Sequence, residues 1–161
     1  MELDQRVTKA YEELRMDIYR YLLAIGLPSQ AAQDITQDCF IRLYETLHGG
    51  ETVQNSRSWL LRVAHNLGIN IITAKGFETD EIDPDEPAVA FTAETRLIEE
   101  ERRERLRREI SQLSVQQRSC LELRAQGLRY REIGEIIGIS TSTVGEFLRR
   151  AISRLRRALS E

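Results

Sequence analysis

Two glycines, Gly134 and Gly138, restrict this chain more than any other feature. They sit in YREIGEIIGISTSTVGEFLRRAISRL, residues 130–155. Ile133, Ile136 and Ile137 give a first short helix an apolar face. Val144, Leu148, Ile152 and Leu155 give a second helix its own. Where the two touch closely a tiny residue is needed, which assigns Gly134 to the contact. Gly138 takes the turn, because the turn commonly requires a positive φ. Ser140 can cap the second helix by accepting from its exposed amides. Together these features predict a helix-turn-helix, with a plain αα-hairpin as the blander alternative. In such a motif the second helix normally enters the DNA major groove. Its outward face holds Ser142, Gly145, Glu146, Arg149, Arg150, Ser153, Arg156 and Arg157. Arginines there can clamp phosphates or guanine edges.

The rest of the chain also reads as helical. Leu3, Val7, Ala10, Tyr11, Leu14, Ile18, Leu22 and Ile25 recur at helical spacing, and Gly26 and Pro28 end that helix. Ser29 is the expected cap of a second helix over about 30–47, with Ile35, Cys39, Leu43 and Leu47 on one face, stopped by Gly49 and Gly50. Ser56 is the expected cap of a third over about 57–74, burying Leu60, Val63, Ala64, Leu67 and Ile71, with Trp59 also read as core. GFETDEIDPDEPAVAFT, residues 76–92, has two prolines, many carboxylates and no helical period, and reads as a flexible acidic linker. Beyond it, ETRLIEEERRERLRREISQL is helical in composition. Ser114 caps the next helix, Gly127 ends it, and helices over about 130–137 and 141–158 complete the chain. The expected fold is all-α: two small helical domains, 1–75 and 93–161, joined by the linker at 76–92.

Charge is unevenly spread. The formal net charge is −3, but residues 1–75 hold 8 basic and 9 acidic side chains. Residues 76–106 hold 4 and 11, and residues 107–161 hold 11 and 6. The basic C-terminal segment is the candidate for nucleic acid. No apolar run reaches the roughly 18 residues of a membrane span, and the N-terminus lacks a signal-peptide pattern. Membrane insertion is therefore not expected, and a cytoplasmic location is. Cys39 and Cys120 are far apart and lack metal-ligand spacing, so they read as buried apolar residues rather than a zinc site or a disulfide. With two distant histidines, no glycine-rich phosphate loop and no nucleophile motif, neither catalytic residues, metal nor cofactor are expected, and the chain reads as a non-enzyme.

The stretch LSVQQRSCLELRAQGLRYREIGEIIGISTSTVGEFLRRAISRLRRAL resembles domain 4 of bacterial sigma factors, although LuxR-type regulators carry a similar helix-turn-helix. AAQDITQDCFIRLYETL resembles the helix of sigma domain 2 that docks on the polymerase clamp, with Asp34, Gln37, Asp38, Phe40, Arg42, Leu43 and Tyr44 on its pattern. SRSWLLRVAHNLGIN resembles the helix that follows, with Trp59, Leu60, Ala64 and Asn66 in place. Both halves in this order, with only a linker between, resemble an extracytoplasmic-function (ECF) sigma factor of the sigma-70 family.

The resemblance implies a promoter-specificity subunit that binds core RNA polymerase and promoter DNA, with an anti-sigma factor as a further candidate partner. It assigns polymerase binding to Asp34, Gln37, Asp38, Phe40, Ile41 and Tyr44. It assigns the −10 element to Arg57, Arg62, Asn66 and Asn70, with His65 beside them, and a base-pocketing loop to His48–Asn55, offering Thr52, Gln54 and Asn55. It assigns the −35 element to Arg131, Ser142, Thr143, Gly145, Glu146, Arg149 and Arg150. The linker carboxylates Asp80, Glu81, Asp83, Asp85 and Glu86 would imitate nucleic-acid phosphates in a basic channel.

Two departures fall on DNA-facing sites. Asn70 stands where an acidic residue is common, with only Lys75 as a cation after it. Gly145 and Phe147 stand in usually basic slots, which leaves Arg149 and Arg150 most of the phosphate or guanine contacts. Phe147 has two readings, a thymine-methyl contact or packing on the preceding helix. A stand-alone LuxR-like regulator and a degenerate sigma-like adaptor, which binds polymerase but reads DNA poorly, are the alternative functions.

Overall fold

A computed structural model describes residues 2–75 and 93–160. The linker carboxylates and the Lys75 side chain lie outside the described residues. Seven helices account for the regular structure of the described part: α1 Leu3–Ala24, α2 Ser29–His48, α3 Ser56–Lys75, α4 Ala93–Ser111, α5 Val115–Ala125, α6 Tyr130–Ile137 and α7 Thr141–Ser160. None is long and apolar enough to cross a membrane.

Local chemistry sets the helix ends. Ser114 accepts from the Gln117 amide at 3.1 Å, and the Gln117 side chain accepts from the Ser114 amide at 3.0 Å, a reciprocal capping box. Ser140 Oγ accepts from the Thr143 amide at 3.2 Å, as expected. Two expected caps sit elsewhere. Asn55, not Ser56, caps α3 by accepting from the Ser58 amide at 3.1 Å. Ser29 is the first helical residue of α2 and makes no capping bond, because Pro28 holds the cap position. At the far ends, Gly26 and Gly127 adopt positive φ, and the amides of Leu27 and Leu128 turn back onto the carbonyls of Leu22 and Leu123. Each leucine is thereby driven into the interior.

The helix-turn-helix takes the expected form. Gly138 is left-handed, with φ 79°. A Cβ built on Gly134 would lie 2.6 Å from the Ile139 carbonyl oxygen, so the close approach is helix to turn backbone. Val144, Leu148 and Ala151 form the buried stripe of α7. Ile152, expected on that stripe, is exposed. Phe147 is half-buried and packs against the core, as the second of its two readings has it.

The N-terminal helices α1, α2 and α3 pack on one another, as do α4 through α7 around α7. Contact does not stop at the linker. α6 lies against α3 and α5 against α1, and one apolar cluster runs through both halves.

Candidate polymerase and promoter interface

The α2 residues Asp34, Gln37, Asp38, Ile41 and Tyr44 recur about once per helical turn, with Gln37 and Asp38 adjacent, and all are exposed. They form a single stripe opposite the buried Ile35, Cys39 and Leu43. Ile41 is 55% exposed and Tyr44 38%, so two large apolar groups stand in water beside a Gln–Asp pair. The Tyr44 ring stacks on His48, with centroids 5.7 Å apart. Phe40 does not belong to this stripe. It is buried, with its ring edge-on to Tyr11 at 5.0 Å, because the covered side of α2 is wide enough to take both Cys39 and Phe40. Phe40 supports the stripe from below.

On α3, Arg62, Asn66 and Asn70 lie at four-residue steps and are exposed, a second polar stripe. Two neighbours depart from the expectation. His65 is buried and shares a 2.6 Å hydrogen bond between its Nδ1 and the Tyr21 hydroxyl. Burial penalises the imidazolium and lowers the His65 pKa to about 4, so the ring is neutral at neutral pH. Arg57 lies at the start of α3, off the stripe. It donates to the Gln126 carbonyl at 2.6 Å and faces Asp17 at 3.5 Å. In the preceding loop, His48, Thr52, Gln54 and Asn55 are exposed around the buried Val53, but the Asn55 carboxamide is engaged in the α3 cap.

On α7, Glu146, Arg149, Arg150, Ser153 and Arg157 line an open cleft along the outer face. Glu146 holds Arg150 in a 2.5 Å ion pair. Arg154 is turned away, bonded to Glu109 at 2.9 Å and to Gln112, which ties α7 to α4. Thr143 and Ser142 both bond the Ser140 hydroxyl, so they help order the helix start. A Cβ built on Gly145 would lie 3.6 Å from the Tyr130 ring, over which the Arg124 guanidinium sits at 5.4 Å. Arg131 is highly exposed and pairs with Glu135 at 3.4 Å.

Arg118 is the residue that sequence reasoning missed most clearly. Its side chain is only 2% exposed and donates to the Ile25 carbonyl at 3.4 Å. A buried guanidinium is tolerated only with partners, and this one comes from the other half of the chain. The sole sequence signal was a cation between Gln117 and the apolar Cys120, which helical spacing alone does not place inside.

Known protein families match both halves of the chain. The family model for sigma-70 region 2 matches residues 10–77, and that for sigma-70 region 4 matches residues 103–159. RNA polymerase sigma factor YlaC of Bacillus subtilis is 31% identical over 156 residues, covering 94% of this chain and 90% of the relative. The ECF RNA polymerase sigma-E factor of Escherichia coli K12 is 30% identical over 150 residues, covering 86% and 76%. Among solved structures, CnrH in complex with the cytosolic domain of CnrY superposes with a TM-score of 0.67 at 18% identity, covering 98% of this chain and 89% of that one. The sigma factor RpoE of Bartonella quintana, bound to the anti-sigma factor NepR, gives 0.69 at 20% identity, covering 95% and 96%. These two structures establish the shared fold. The sequence matches, which span both halves in order, establish more: the chain belongs to the ECF group of the sigma-70 family and is a promoter-specificity subunit of RNA polymerase.

Proposed function

We propose that residues 1–75 dock on core polymerase and engage the −10 element, while residues 93–161 read the −35 element. The α2 stripe supports the first assignment. An acidic and polar surface with two apolar projections suits a basic partner helix, and Ile41 and Tyr44 gain most from being covered there. Arg62, Asn66 and Asn70 are the residues placed to hold single-stranded DNA. Arg57 joins them only once it leaves Asp17 and Gln126. On α7, Arg149 is the foremost DNA contact, with Arg150 available after exchange from Glu146. The role is binding and positioning rather than catalysis, in the cytoplasm where polymerase works. The solved neighbours were captured with CnrY and NepR, and an anti-sigma partner for this chain is part of the same reading.

The observation that carries this reading is the pairing of an exposed α2 stripe with a separate arginine-lined α7 face on one chain. The decisive experiment is reconstitution with core polymerase from the same cell, followed by sequencing of transcripts from sheared genomic DNA. Discrete start sites sharing two upstream motifs support it. Polymerase binding without start sites would leave the degenerate adaptor, a reading favoured by the Glu146–Arg150 pair and the missing side chain at Gly145.

Two substitutions test the residue assignments. Gln37→Ala with Asp38→Arg should weaken polymerase binding by about tenfold or more, since like charges across an interface cost several kcal/mol. Equal affinity in a titration against labelled polymerase would remove α2 from the docking site. Arg149→Ala should weaken promoter binding and reduce the salt slope by about one if its contact is to phosphate. An unchanged −35 footprint would take Arg149 off the DNA.

A further inference from the structure

The arginines of α7 line two clefts, not one. Arg150, Arg154 and Arg157 follow at steps of four and three, so they share one side of the helix. Facing them is the corner where α4 ends and α5 begins, which contributes Glu109, Leu113 and Gln117. Between the two walls lies an open cleft of about 470 Å³, within the usual range of small-molecule sites. Arg150 and Arg157 are shared with the outer cleft. Arg154 belongs to this inner cleft alone, and Arg149 to the outer one alone.

Cations and hydrogen-bond donors are both in excess here. Three guanidinium groups stand against a single lining carboxylate, that of Glu109. Glu109 and Gln112 hold Arg154 through Nε and one Nη2 bond, which leaves three of its five N–H groups unspent. The same two bonds fix the plane of the guanidinium, so less freedom remains to be lost on binding. Arg157 forms no ion pair among the described residues. Gln117 spends its side-chain oxygen on the Ser114 amide at 3.0 Å, and its amide nitrogen remains a donor. Leu113 and Ala158 add an apolar patch.

A guanidinium meets phosphate oxygens in a bidentate fork, the planar recognition for which arginine is favoured. From Arg150 to Arg157 the helix rises about 10 Å. One phosphate group cannot touch all three arginines over that length, whereas a short chain of linked phosphates can. The geometry points to a small-molecule site in the inner cleft, for a ligand carrying two or three linked phosphates. Arg154 and Arg157 are its principal contacts. Arg150 joins them by exchanging Glu146 for the ligand. The site needs neither polymerase nor promoter DNA, so it stands or falls separately from the function proposed above.

The probe is inorganic tripolyphosphate, titrated calorimetrically into the full chain at about 0.15 M salt, where long-range attraction is screened. Saturable binding of one equivalent is expected, about tenfold or more tighter than orthophosphate. Arg157→Ala should weaken it by about fivefold or more. Arg156→Ala removes the same charge from the adjacent exposed position, outside the cleft, and should change little. Glu109→Gln removes the opposing carboxylate, keeps an acceptor for Arg154, and should tighten binding several-fold. Absence of saturation would overturn the proposal. Equal affinity for citrate would also overturn it, by showing a general attraction for anions, as would equal losses in Arg156→Ala and Arg157→Ala. Loss of binding in Arg149→Ala with no response to Glu109→Gln would put the anion in the outer cleft and overturn the inner site.

Discussion

Alanine at Gly134 should destabilise the protein, whereas alanine at Gly145, eleven residues later, should stabilise it. Both glycines are helical, and helix propensity alone favours alanine by about 1 kcal/mol at each. What differs is the space. At Gly134 a Cβ would meet the Ile139 carbonyl oxygen at 2.6 Å, a backbone atom of the turn that cannot give way without moving Ser140 and the start of α7. At Gly145 it would meet only the edge of the Tyr130 ring at 3.6 Å, an ordinary van der Waals distance. Overpacking costs about 1–3 kcal/mol, so the clash outweighs propensity at Gly134 and leaves a net loss of up to about 2 kcal/mol. Gly134→Val, with a second branch to place, should lose more. At Gly145 the propensity gain survives, at about 0.5–1 kcal/mol. Urea midpoints of the three variants against the parent chain decide it. A stabilising Gly134→Ala would mean that the helix and turn do not approach as described.

Acid should weaken the fold before the carboxylates titrate. His65 has an ordinary pKa near 6.5 when unfolded and about 4 when folded. Above 6.5 both states hold a neutral ring and the group is silent. Between 6.5 and about 4 the unfolded chain takes a proton that the folded chain refuses, so stability falls as pH falls, by about 1.4 kcal/mol per pH unit. Over the whole window the loss approaches about 3 kcal/mol. His65→Gln removes the titration and keeps a partner for the Tyr21 hydroxyl. The difference between parent and variant in denaturant midpoint, followed from pH 8 to pH 4.5, isolates the histidine from the carboxylates. Parallel curves would mean that His65 is hydrated or already charged in the folded state.

How far the sequence spoke depended on the range of the interaction. The helices, the glycine stops, the Ser114 and Ser140 caps and the α2 stripe all arise within about ten residues, where periodicity and capping chemistry decide the outcome. The wrong cap at Ser56 is a local ambiguity of one residue, since Asn55 is an equally good cap and comes first. Phe40 was misplaced because a helix covered by two neighbours buries a wider arc than a simple apolar stripe. His65 and Arg118 were unreadable for another reason. His65 finds Tyr21 at a separation of 44 residues, and Arg118 finds Ile25 at 93. Nothing in their own helices announces a partner that far away. Arg57 fits both a DNA-facing reading and the packing of the halves, and helical spacing cannot choose between them.

Those long separations bear on how the chain is made. Asp17 waits for Gln126, which lies 109 residues downstream. At roughly 5–20 residues per second, the α1 side of that contact stays bare on the ribosome for about 5–20 seconds. The first three helices must therefore hold together as a nascent unit before α5 exists to cover Tyr21 and Ile25. A ribosome stalled between α3 and α5 would display a folded but sticky intermediate, and that is the moment at which a nascent-chain chaperone has most to protect.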